Sequence, residues 1–303
     1  MFRVVLSKFK GSLALTVAVF LLTFFFFDFL INSALLTGLN KYYGLREKSE
    51  IALIGHSHLM LGVDKIQLEK ELNVNVAKYT REGVNVSDRK LMIEQLLEEN
   101  QGIETIIYGV DAWSFSGEGL SKNSFKLFYP FMDNNKIDSY IYKKTDLGDY
   151  LTKKFIKTSR FNEQLLGGSI RGFLGKWDNL KFGTIDLQRL EKQIEQNTYR
   201  KINNGPENIK IFKESMILLS EKKINVILLY LPTIDILSDV QETKYQETIE
   251  IINEVSNNLD NVTFLSFQEP WSHNYSIFYD PIHLNPKGQK LITKELINYI
   301  QKH

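Results

Sequence analysis

"IALIGHSHLMLGVD", residues 51–64, opens on apolar and small residues ended by Gly55 and then sets Ser57 between His56 and His58. A short run of this kind, closed by a glycine, has the length of a buried parallel strand. A serine just after such a strand stands at the carboxyl end of a sheet, the rim where open α/β folds hold their ligands. Two chemistries fit the stretch. Ser57 can be a nucleophile presented at the rim, or His56 and His58, turned the same way by the period of two, can be a metal-ligand pair.

Four further runs share the character of the first: "NVNVAKY" (73–79), "ETIIYGV" (104–110), "NVILLYL" (225–231) and "NVTFLSF" (261–267). Helical patterns separate them. "DKIQLEKEL" (64–72) has Asp64 three residues before Gln67, a capping-box spacing, and "SDRKLMIEQLLEEN" (87–100) carries Leu91, Ile93, Leu96 and Leu97 on one stripe. Residues 208–223, 244–259 and 285–301 complete the set, the last with Pro286 at its start. The alternation predicts an α/β fold with a mainly parallel five-stranded sheet covered on both faces. Residues 114–205 exceed any ordinary connection and are read as an insertion after the third strand. It holds a glycine cluster, "GGSIRGFLG" (167–175), and a helical stretch near 185–200. It either covers a sheet edge or forms a lid over the strand ends.

The first forty residues differ from the rest. Arg3, Lys8 and Lys10 precede an apolar stretch long enough for a bilayer, which needs about 20 residues. Asn32 occupies the upstream small-residue position of a cut after Ala34, so residues 1–40 read as an uncleaved signal anchor. The charge asymmetry puts the N-terminus in the cytoplasm and a domain of residues 41–303 outside a plasma membrane crossed once. Asp28 is expected near the outer interface. Lys plus Arg (37) balance Asp plus Glu (36), and a net charge of +1 supplies no field that would draw nucleic acid. The absence of cysteine fits export without requiring it.

Near the far end, "FYDPIHLNPKGQKLI" (278–292) sets Asp280 and His283 three apart before the last helix. A hydrolytic serine needs an imidazole to take its proton and a carboxylate to hold that imidazole, whatever their chain order. A loop after the last strand reaches the same rim as Ser57. The metal reading lacks companions. Of five histidines His303 is terminal, and His273 or His283 with acids would have to finish the coordination, so no metal or cofactor is expected.

"IGHSHL" and "DPIHLN" resemble the first and last blocks of the SGNH/GDSL hydrolase superfamily, a Gly-x-Ser after the first strand and a late Asp-x-x-His. The resemblance covers residues 51–113 and 224–301. It implies a flavodoxin-like three-layer fold with Ser57 as nucleophile, His283 as base and Asp280 as its orienter. It also implies an oxyanion hole at Ser57, Gly83 and position 111. There the family's asparagine is replaced, because "GVDAW" offers Asp111, and an ionised carboxylate only accepts hydrogen bonds. Either another group, His56 or Asn85, supplies the donor, or Asp111 is structural. His58, Asn85 and Trp113 are expected to contact substrate. Trp113, Trp177 and Trp271 form a sugar platform or simply pack, and Lys78, Arg81 and Arg89 meet an anionic substrate or a solvated rim. Anchored members of the superfamily imply a serine esterase or O-acyltransferase acting on an acetyl or D-alanyl ester of a cell-envelope polysaccharide, beside a multi-span acyl-carrying partner. The alternatives are an inactive scaffold in such a complex and, less favoured, a metal-dependent hydrolase using His56 and His58.

Overall fold

The computed structural model describes residues 2–117 and 121–303; the side chains of residues 2–12, Arg3, Lys8 and Lys10 among them, lie outside the described residues. Along the chain run α1 (Phe2–Tyr43), β1 (Ile51–Gly55), α2 (Ser57–Gly62), α3 (Lys65–Leu72), β2 (Val76–Thr80), α4 (Val86–Glu99) and β3 (Thr105–Val110). There follow α5 (Asn135–Tyr142), α6 (Leu147–Phe155), α7 (Glu163–Leu174), α8 (Leu187–Glu195) and α9 (Pro206–Glu221). β4 (Asn225–Tyr230), α10 (Asp235–Asp239), α11 (Glu242–Asn258), β5 (Val262–Ser266), α12 (Gln268–Trp271) and α13 (Pro286–Ile300) complete the chain.

The five strands form one sheet in the order β2-β1-β3-β4-β5, every pair parallel. Every residue of β1 and β2 is buried, as strands covered on both faces must be. Ile51 stands opposite both Val76 and Thr105, so β1 is the strand from which the chain departs to either side. That reversal opens a crevice beyond the carboxyl ends of β1 and β3. α4, α9 and α11 pack together on one face, and α2, α3 and α13 on the other.

Local chemistry explains most helix starts. Asn285 caps α13 through Lys287 and Gly288 N–H groups, with Pro286 in the first turn. Asp64 accepts from the Ile66 and Gln67 N–H groups, yet the expected capping box does not close. The Asp64 N–H donates instead to Thr293 Oγ1, and Gln67 turns to Glu71. The reciprocal box lies at α4, between Asn85 and Asp88.

The chain divides into two compact units, residues 40–125 with 175–303, which carry the sheet, and residues up to 39 with 126–174. The stretch 114–205, expected as one insertion, is thus shared between them. α1 carries a segment, Leu13–Tyr43, of mean hydropathy 2.4, long and apolar enough for a membrane anchor or a signal sequence. Asp28 is buried on this helix and accepts from the Lys157 N–H at 2.8 Å and the Thr158 N–H at 2.9 Å. All of the glycine cluster but Gly175 is helical and falls in α7, whose Ser169 hydroxyl donates to the Leu35 carbonyl at 2.6 Å. Gly38 is required there, because a Cβ on it would come within 2.3 Å of the Ser169 carbonyl oxygen.

Candidate active site

β1 ends at Gly55, and His56 turns the chain with extended backbone angles (φ −92°, ψ −162°) so that Ser57 begins α2. His56 is the N-cap: its Nδ1 accepts from the His58 N–H at 3.2 Å, a role more often filled by Ser, Thr, Asp or Asn. The Ser57 N–H, at the start of the helix, has no intrahelical acceptor.

Asp280 and His283 sit on the loop that leads into α13, cinched by the Tyr279 N–H donating to the His283 carbonyl at 2.8 Å. Asp280 Oδ1 accepts from the Ile282 and His283 N–H groups at 2.9 and 2.8 Å, which fixes the carboxylate under the ring. His283 Nδ1 lies 2.8 Å from Asp280 Oδ2, and its Nε2 lies 2.8 Å from Ser57 Oγ. A carboxylate can only accept, so Nδ1 carries the proton and Nε2 presents a lone pair to the serine hydroxyl. Burial opposes ionisation of Asp280, but the His283 ring and the two backbone N–H groups outweigh it and hold the carboxyl at about 2.

Behind Ser57 lies a second histidine–carboxylate cluster. His56 Nδ1 is occupied as an acceptor, so its proton is on Nε2, 2.8 Å from Asp111 Oδ2. That oxygen makes no aligned hydrogen bond. Asp111 Oδ1 accepts from the Trp113 N–H at 2.9 Å and the Ser114 hydroxyl at 3.2 Å. His58 Nε2 donates to the Pro232 carbonyl at 3.2 Å, with Nδ1 3.7 Å from Asp111. Burial pushes the His56 imidazole down to about 4 against the pull of Asp111. Burial alone would raise the Asp111 carboxyl; the attraction of His56 and His58 holds it well below the usual carboxylate range instead.

This arrangement corrects several expectations. Asp111 is fully buried and ionised, with both oxygens directed at inward-facing groups, so it offers no proton to an oxyanion. It ties the β3 loop to the nucleophile turn. His58 and Trp113 are likewise buried and present no surface to a substrate; the Trp113 indole N–H donates to the Arg200 carbonyl. Asn85 is half-buried and caps α4 through its Oδ1, a role that does not use its side-chain NH2 group. Lys78 and Arg89 are buried, the first donating to the Val63 carbonyl and the second to the Gly109 and Ser114 carbonyls, so neither forms a solvated rim. The Trp177 indole N–H donates to the Tyr42 carbonyl, and Trp271 packs on the core, so the three tryptophans form no platform. Gly83 stands in the turn after β2 with φ +76°, and a Cβ there would lie 2.4 Å from Ser121 Cβ. Among the described residues no three His, Cys, Asp or Glu side chains are grouped to hold a metal ion.

A cavity of about 640 Å³ adjoins the imidazole side of this cluster. Asp280 and His283 line one wall; Arg189, Gln193, Tyr199 and Arg200, from α8 and the segment after it, line another. Ser57 is outside the lining, so the cavity meets the triad from the His283 side. The α8 wall was legible only as a helical stretch near 185–200, because nothing in its spacing reveals the loop it faces.

No protein-family model matches the chain, and no curated protein matches it. Among solved structures the fold is similar to a candidate platelet activating factor from Streptococcus pneumonia (TM-score 0.47, 12% identity, covering 94% of this chain and 99% of that one). It is also similar to a lipase/acylhydrolase from Enterococcus faecalis (TM-score 0.39, 12% identity, 84% and 95% covered). A candidate SGNH hydrolase from Slackia heliotrinireducens has a TM-score of 0.39 and 8% identity, with 84% and 100% covered. Likenesses this distant carry no chemistry, which rests on the side chains themselves.

Proposed function

We propose that the chain is a serine ester hydrolase or O-acyltransferase of the SGNH/GDSL kind, held at a membrane by α1 and acting on an acetyl or D-alanyl ester of a cell-envelope glycan. The observation that supports it is the continuous chain Ser57 Oγ, His283 Nε2, His283 Nδ1, Asp280 Oδ2, with 2.8 Å at each hydrogen bond. Ser57 Oγ attacks the acyl carbonyl as His283 takes its proton; Asp280 steadies the resulting imidazolium; His283 then returns the proton to the leaving sugar oxygen. Water or a second hydroxyl, activated by the same imidazole, releases the acyl group from Ser57. The Ser57 and Gly83 N–H groups are the proposed oxyanion donors. Without a third from position 111 the reaction runs slower by about 100- to 1,000-fold than in a site that has one. The polar wall of Arg189, Gln193, Tyr199 and Arg200 suits a hydroxyl-rich or anionic glycan segment.

The buried Asp111 is also what favours the second reading, a scaffold with a vestigial site. A fluorophosphonate probe separates the two. Labelling of the wild-type chain that disappears in Ser57→Ala, with aryl acetate turnover falling on the order of 10⁴- to 10⁶-fold, is the expected result. No labelling of a folded wild-type chain would establish the scaffold, and turnover that survives Ser57→Ala would remove Ser57 as nucleophile.

A further inference from the structure

α7 is two-faced. Leu165, Gly168, Ser169 and Gly172 are buried, and this small-residue stripe lies on α1 at Leu35 and Gly38, the kind of close approach by which helices associate in lipid. The opposite stripe, Leu166, Ile170 and Leu174, is large, apolar and exposed, Ile170 by 56%. α6 repeats the pattern with no buried residue at all: Leu147, Leu151 and Phe155 recur every four residues and are exposed, Phe155 by 66%. A soluble surface does not carry two such stripes in neighbouring segments.

α1 shows where these stripes belong. On the side of α1 that faces α7 and the turn Lys157–Arg160, Asp28, Asn32 and Gly38 are buried, and the Asp28 carboxylate is held by the start of that turn. At the same level of the helix Phe29, Leu30 and Ile31 are exposed. An ionisable residue inside a spanning helix faces protein rather than lipid, and irregular backbone is tolerated at membrane depth where protein covers it. The polar stripe of α1 is thus covered by residues 126–174, while its apolar face at the same height continues outward without cover.

We infer that residues 126–174 form a collar seated in the outer leaflet of the bilayer around α1, with Leu147, Leu151 and Phe155 of α6 and Leu166, Ile170 and Leu174 of α7 in contact with lipid acyl chains. The occupant of these faces is the bilayer itself, because they continue the lipid-facing surface of the anchor to which α7 is packed. The hydrocarbon boundary then lies beyond Asp28, on the side of residue 40. The collar rests on α1 being a retained anchor, as proposed above, and not on the chemistry at Ser57.

The chain has no cysteine, so single cysteines can be labelled without background. The full chain would be placed in vesicles of phosphatidylcholine and phosphatidylglycerol, with an environment-sensitive nitrobenzoxadiazole label at Leu151→Cys, Ile170→Cys, Val19→Cys or Lys244→Cys. Val19 lies in the anchor, and Lys244 lies on the sheet-bearing unit. The expected result is blue-shifted emission at 151 and 170, lost to doxyl-labelled lipids and insensitive to aqueous iodide, as at 19 and opposite to 244. Iodide quenching at 151 and 170 with lipid quenching at 19 overturns the collar and leaves the anchor standing. Iodide quenching at 19 overturns both. Labels at 151 and 170 shielded from both quenchers would mean that a second copy of the chain covers these faces, and the collar is again overturned.

Discussion

At the scale of single residues, the nucleophile turn carries two histidines with opposite duties. In the proposed reaction His283 exchanges a proton with Ser57, whereas His56 stands against Asp111 and caps the helix by accepting from the His58 N–H. Asp280→Asn removes the acceptor that fixes the His283 tautomer and is expected to lower kcat about 10⁴-fold in an aryl acetate assay; it also lowers the thermal midpoint at neutral pH, because a carboxyl held at about 2 is one whose ionised form stabilises the fold. Because the Asp280 carboxyl titrates near 2, it is not the source of any activity loss in weakly acidic solution. His56 governs stability instead. Its folded-state value of about 4 lies below the ordinary 6.5, so between those values the unfolded chain binds a proton that the folded chain refuses. Stability is therefore full above about 6.5 and falls as pH drops toward about 4, by about 3 kcal/mol in all. Thermal unfolding across that window should show the decline, and His56→Gln should flatten it while lowering stability at neutral pH.

At the scale of elements, glycines mark where one segment must approach another. Gly83→Ala forces an L side chain into the left-handed region, at a cost of about 1–2 kcal/mol, and adds the contact with Ser121. Pairing it with Ser121→Gly relieves the contact but not the backbone, so the double variant should recover part of the lost thermal midpoint and no more. Gly38→Leu would push α7 off α1, and faster proteolysis within residues 126–174 is the expected sign. What could be read from sequence follows the same division. The strands were legible because burial on both faces imposes unbroken apolar runs, and α3, α4, α9, α11 and α13 because one face repeats. The residues that flank a pairing, Ser57 and Asp280 with His283, announced themselves by type and by adjacency to strand or helix ends. Missing were the roles set by distant partners. Nothing near Trp113 in sequence tells that Arg200 will accept its N–H, and nothing near Asp111 tells that His56 and His58 will surround it. The glycine cluster within 114–205 was noted without a role, because its small-residue stripe has meaning only against α1.

At the scale of the molecule, the chain is interleaved: its first helix closes on a segment that interrupts the α/β fold between β3 and α9. Deleting residues 1–39 alone uncovers the buried stripe of α7 along with the exposed ones, and the truncated chain is expected to aggregate without detergent. Replacing residues 126–174 by a flexible linker in the same truncation should restore a soluble, monodisperse sheet-bearing unit, read by size-exclusion chromatography. The interleaving also sets a schedule for biogenesis. Asp28 leaves the ribosome 130 residues before Thr158, its hydroxyl and amide partner. At typical elongation rates that leaves the carboxyl unmet for on the order of ten seconds, the interval in which the anchor proposed above would be inserting. An acid at mid-helix costs about 2.5–3.5 kcal/mol on insertion into a bilayer, and the adjoining phenylalanine run from Phe24 to Phe27, at about 0.3–0.6 kcal/mol each, offsets part of it through that interval. Substituting those phenylalanines should therefore harm nascent-chain integration while leaving the finished protein's hydrogen bonds intact.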